Sequence, residues 1–149
     1  MKKVLPILLL FVFALTACTN NTSSQYAGKY SGIFTFIKDS KTKSGNVRIT
    51  ANPVSADGLL LYAVLPLNKI SEGSFEATTE NAEYMTSVLE AMVGANGYID
   101  KTAEAVKNIN VKADFANGEM HMIVSYTVEI LSSLTTEVRI LEFTGTKIS

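Results

Sequence analysis

The chain has 149 residues, 13 basic and 14 acidic, giving a formal net charge of −1 with its one His neutral, and it contains one Cys. This balance, with no basic block, lacks the electrostatic footprint that nucleic acid requires, so no nucleic-acid partner is expected. The single cysteine excludes intrachain disulfides and zinc-thiolate sites, and the single histidine excludes multi-histidine metal centres.

Met1-Lys2-Lys3 is cationic, and Val4 to Leu15 then runs uncharged, broken by Pro6. Twelve such residues make a helix of roughly 18 Å, well short of the roughly 30 Å of hydrocarbon in a bilayer. The segment reads as a secretory signal and not as a transmembrane helix. Leu15-Thr16-Ala17-Cys18 resembles the bacterial lipobox, in which small residues admit the signal peptidase and the Cys thiol becomes a thioether to diacylglycerol. The resemblance implies a cleaved signal over 1–17, a lipidated Cys18 opening a polar tether over 18–25, and one domain over 26–149. Two or more acyl chains hold a protein stably at a membrane. Removing Lys2 and Lys3 takes the net charge from −1 to −3. Thr19 follows the cysteine where inner-membrane retention would use Asp, so the expected address is the periplasmic face of the outer membrane.

Within the domain, Tyr26, Gly28, Tyr30, Gly32, Phe34 and Phe36 alternate with Lys29, Ser31 and Thr35, the period-two pattern of a strand. The glycines predict a bend or a close backbone approach. After a polar turn over 39–45, Val47, Ile49 and Ala51 mark a second strand. Leu59 to Leu65 is apolar on both faces and predicts a strand covered on both sides, one of them by a helix. A weaker strand is expected from Lys69 to Ala77.

Met85, Val88, Leu89 and Met92 follow a helical stripe, predicting one inserted helix over about 79–94, with Thr79 as N-cap and Gly94 as terminator. Residues 98–106 fit a short helix or an edge strand. Ile109, Val111, Ala113 and Phe115 alternate up to Asn117-Gly118, the strongest short hairpin signal. Met120 to Ile130 is a long strand with its apolar residues on one parity. Val138 and Ile140 begin the last strand, and the shift to Leu141 and Phe143 predicts a bulge near Glu142.

The expected architecture is mainly β, an antiparallel meander of six to eight strands, and closing it into a barrel removes the exposed edges. The lipobox, the tether and the opening Tyr26-x-Gly28-x-Tyr30-x-Gly32 together resemble small calycin-like, lipocalin-like lipoproteins of the Bacteroides group. That resemblance implies a barrel holding a small apolar or amphipathic ligand, with Tyr30, Phe34 and Tyr126 lining its mouth. The aromatic stripe and Met85, Met92, Met120 and Met122 fit either a ligand cavity or plain core, and the two differ in whether the enclosed volume is filled.

No nucleophile elbow, phosphate loop or zinc-protease motif is present, so no enzyme activity and no cofactor or metal are expected. His121 lies on the parity opposite Met120 and Met122 and reads as a surface strand histidine, with Glu119 and Asp114 as neighbours. Glu80, Glu83 and Glu90 read as a solvated helix face, and Asp39, Asp57 and Asp100 as turn residues. The functional expectation is a lipid-anchored binding protein. The alternative is an accessory or inhibitor-type module with a filled core that docks on another envelope protein.

Overall fold

The computed structural model describes residues 22–38, 41–62, 65–79, 87 and 103–149. Residues 22–26 form a 3₁₀ turn, followed by β1 (Gly28–Lys38), β2 (Lys41–Ser55), β3 (Gly58–Leu61), β4 (Leu65–Ser71), β5 (Ser74–Thr79), β6 (Glu104–Ala116), β7 (Glu119–Ile130) and β8 (Thr135–Lys147). Each strand pairs antiparallel with the next, and β8 returns to β1, closing an eight-stranded up-and-down barrel. The expected count of six to eight strands is met at eight; β3 covers β2 only over Ala51–Ser55, so among the described residues Lys41–Thr50 is paired with β1 alone.

The alternating residues of every strand point into the barrel. Tyr30, Phe34 and Phe36 from β1 meet Met120, Met122 and Val124 from β7 across Leu141 and Phe143 of β8, and all are buried. Gly32 faces Gly145 across the β1–β8 ladder. A Cβ on Gly32 would lie 2.0 Å from the Thr144 carbonyl oxygen, so this glycine serves the close approach of the two closing strands. Asn117 and Gly118 take φ of 52° and 78°, the left-handed pair of a type I′ hairpin, as their sequence predicts.

Several boundaries differ from expectation. The apolar run 59–65 is not one strand: β3 ends at Leu61, Tyr62 takes φ of 50°, and β4 starts at Leu65. The strand expected over 69–77 is likewise divided, between β4 and β5, by the Glu72-Gly73 turn. No bulge occurs at Glu142, for the β7–β8 register is continuous from Glu119↔Thr146 to Ile130↔Thr135. Instead Arg139 shares the inward parity of Leu141 and Phe143, while Val138 and Ile140 point outward. The described residues begin at Thr22, whose 3₁₀ turn overlaps the span 18–25 expected as a tether. The helix expected over 79–94 lies outside the described residues, except for Thr79, which ends β5, and Ser87, which is exposed.

Candidate functional site

The barrel has two unlike ends. At one lie the start of β1, the end of β8 and the β2–β3, β4–β5 and β6–β7 hairpins; the 3₁₀ turn covers it. Ser23 is buried there, its amide donating to Ala56 O at 3.1 Å and its hydroxyl donating to Ser55 O. Tyr26 packs its ring 5.5 Å from Phe75 and 5.4 Å from Phe115, and these two rings lie 5.7 Å apart, edge to face. Tyr26 and Gln25 both donate to Glu72 at the β4–β5 turn. Lys69, and after it Tyr26, hold the Glu72 carboxyl below its ordinary value. Rings and turn together close this end.

Tyr30, Phe34 and Tyr126, expected at a ligand mouth, are all inward and buried but occupy different levels. The Tyr30 hydroxyl donates to Tyr26 O at 2.8 Å at the closed end. Phe34 stacks against Phe143 at mid-barrel, 6.1 Å between centroids. Tyr126 sits opposite Arg139 in the upper part. Burial pushes both phenols up to about 12.

The upper end carries a charged group that sequence reasoning missed. Arg139 grips Glu104 bidentately at 2.8 and 2.7 Å, and its Nε donates to Glu137 at 3.2 Å. The Arg139 and Glu104 side chains are 2% and 7% exposed. The fork matches the carboxylate geometry and holds the guanidinium charged, raising its pKa above the usual arginine value. Arg139 also bonds the Tyr126 hydroxyl. A bulge brings Glu104 inward. Lys107 pairs with Thr127 and Asn110 with Ser125, so Asn108 and Ile109 both oppose Tyr126, and Asn108 takes φ of 53°. That extra residue switches the parity of β6 from Ile109, Val111 and Ala113 to Val106 and Glu104. The sequence signal was the three-residue step from Val106 to Ile109, with Asn, tolerant of the left-handed region, between them.

His121 is on the outer face, as its parity predicts. Its Nε2 lies 2.7 Å from Glu142 Oε1 rather than on Glu119 or Asp114, in an exposed pair. Asp114 instead accepts from Ser74 and pairs with Lys112. Asp57 is an exposed turn residue, while Cys18, Asp39, Glu80, Glu83, Met85, Glu90, Met92 and Asp100 lie outside the described residues. Among the described residues no group of three or more His, Cys, Asp or Glu is placed to hold a metal ion.

The remaining feature is external. Val138 and Ile140 stand outward on β8 at 71% and 53% exposure, below Leu134 at the β7–β8 turn, which is 74% exposed. Compared with protein-family models, curated proteins and solved structures, the chain has no match in any of the three.

Proposed function

We propose that the chain is a non-enzymatic lipoprotein of the bacterial envelope, held through lipid on Cys18 at the periplasmic face of the outer membrane. Its calycin-like barrel acts as a docking body for another envelope protein, not as a carrier. The observation that carries this choice is the burial of the three residues expected to line a ligand mouth: Tyr30, Phe34 and Tyr126 are 2%, 1% and 1% exposed within one apolar core cluster. A void holding even one water would leave free surface on the side chains lining it, and Tyr30, Phe34 and Tyr126 have next to none. A ligand reaching these three would have to displace the side chains now packed on them. The exposed side chains of Leu134, Val138 and Ile140 instead offer apolar surface on the outside, where a partner with an apolar face would bury it.

The test has two parts. Native mass spectrometry of residues 19–149, made without lipid and purified gently, is expected to give a clean apo mass. A photoreactive side chain at Val138 or Ile140 in cells is expected to cross-link one discrete envelope protein, while the same group at Lys112 does not. Extra mass that leaves on denaturation would overturn this reading and restore Tyr30, Phe34 and Tyr126 as a ligand mouth.

A further inference from the structure

Both closed-end hairpins that join β2 to β3 and β4 to β5 carry an irregularity at the same relative place. In the first, Pro53 pairs with Leu59 and Ser55 with Gly58, so Val54 has no partner across the ladder. In the second, Lys69 pairs with Phe75 and Ser71 with Ser74, leaving Ile70 without one. Bulges re-aim side chains, and in each hairpin the residue so re-aimed is aliphatic and left in water: Val54 is 59% and Ile70 54% exposed. Ile148, just past β8 and fixed by its amide to Lys29 O at 2.7 Å, adds a third aliphatic side chain at this end, 53% exposed.

The chain arrives at this same end. Ser23 is fixed to the β2–β3 hairpin through both its amide and its hydroxyl, and Lys147 Nζ donates to Gln25 O at 3.3 Å. Between Cys18 and Ser23 there are five residue steps, a reach of at most about 18 Å when fully extended. Strands of 11 to 13 residues, tilted as in an eight-stranded barrel, make the body roughly 25–30 Å tall. A lipid on Cys18 therefore leaves too little chain to turn the upper end to the bilayer.

From these two observations we infer that the barrel stands on the membrane by its closed end, with Val54, Ile70 and Ile148 set into the lipid interface. The inference rests on lipidation of Cys18. The occupant is a lipid surface because the tether fixes that surface within reach of these side chains. The local charges do not favour an electrostatic partner: Lys69 is spent on Glu72, and Glu119 and Asp57 offset Lys29 and Lys147. Hydrophobic seating of a body already tethered needs only shallow insertion. The same orientation points Leu134 and the Arg139 end away from the membrane.

The chain contains no Trp, so one introduced tryptophan is a unique reporter. The full chain is expressed with its signal, purified in lipidated form and reconstituted in phosphatidylcholine vesicles containing lipid brominated near the top of the acyl chains. Val54→Trp, Ile70→Trp and Ile148→Trp are compared with Leu134→Trp; all four sites are surface positions whose replacement leaves the core intact. Quenching of the first three is expected to exceed that of Leu134→Trp several-fold. Equal quenching at all four sites overturns the inference, and so does a self-association that shields the closed-end reporters from bromine. Intact mass and vesicle flotation of the wild type beside Cys18→Ser separate the two ideas. A lipidated, floating protein with unquenched closed-end reporters sinks the orientation alone, whereas an unlipidated protein sinks the anchor and the orientation together.

Discussion

Replacing Glu104 by leucine tests how the upper end is held together. The carboxylate accepts two charge-assisted hydrogen bonds from Arg139, and with 2% and 7% of the two side chains exposed, water has no route to replace them. Removing one partner of a buried pair costs about 3–5 kcal/mol. Glu137 remains at 3.2 Å from Nε and is itself partly exposed, which places the expected loss near the bottom of that range, about 3 kcal/mol. For a domain of this size that lowers Tm by about 10 °C. Thermal and urea unfolding of residues 19–149 measure it. The decisive arm is the double variant Glu104→Leu with Arg139→Met, which removes both charges. It is expected to recover most or all of the loss, because the ions' desolvation penalty disappears with them. A single variant within about 0.5 kcal/mol of wild type would place the pair in effectively solvated surroundings. A double variant as unstable as the single would show that lost packing, not an orphaned charge, sets the cost.

Deleting Asn108 removes the β6 bulge and turns Val106 and Glu104 outward, so it should destabilise at least as much as Glu104→Leu, whereas Asn108→Gly should be neutral or gain up to about 1 kcal/mol, since glycine takes φ of 53° freely. Gly32→Ala, whose new Cβ meets backbone of β8, should cost more than about 2 kcal/mol in urea unfolding, and a smaller loss would mean that the closing ladder yields easily. The Tyr30 and Tyr126 phenols, raised to about 12 from an ordinary 10, favour the folded state fully below pH 10, and that contribution falls as pH rises from about 10 to 12. A phenolate absorbance titration in the folded state should therefore show these two ionising late, and early ionisation of all tyrosines would refute their burial. His121→Ala should change stability by less than about 1 kcal/mol, because its pair with Glu142 is exposed.

What the sequence made legible was whatever follows from local pattern. Tyr30 to Phe36, Val111 to Phe115 and Met120 to Val128 alternate cleanly, and Asn117-Gly118 names its own turn, so β1, the lower part of β6, β7 and the β6–β7 hairpin followed directly. The β3–β4 reversal did not, because Tyr62 takes a left-handed conformation and no Gly, Asn or Pro stands between Leu61 and Leu65 to mark it. The last strand was misread for a different reason. An inward Arg139 looks polar and an outward Val138 and Ile140 look like core, so parity taken from hydropathy alone is inverted over those residues. The pair that makes an inward arginine tolerable lies on another strand, and its carboxylate reaches the interior only through a bulge. Tyr30, Phe34 and Tyr126, expected at a ligand mouth, are buried in the barrel, and how the space around them is packed depends on all eight strands at once, which no local window contains.

The closing ladder has a consequence for when this molecule can exist. Tyr30 to Phe36 of β1 find their second neighbour in Leu141 to Lys147, nearly the whole chain away. During synthesis the first strand emerges early, yet one of its edges stays open until the last strand is complete, so no prefix of the sequence is a closed body. Contacts of such separation make folding slow and late. A chain cut anywhere before β8 would leave both β1 and β7 with an edge that β8 otherwise covers. The barrel is thus a structure that a growing or threading polypeptide cannot assemble prematurely, and its folding is timed by the arrival of its final strand.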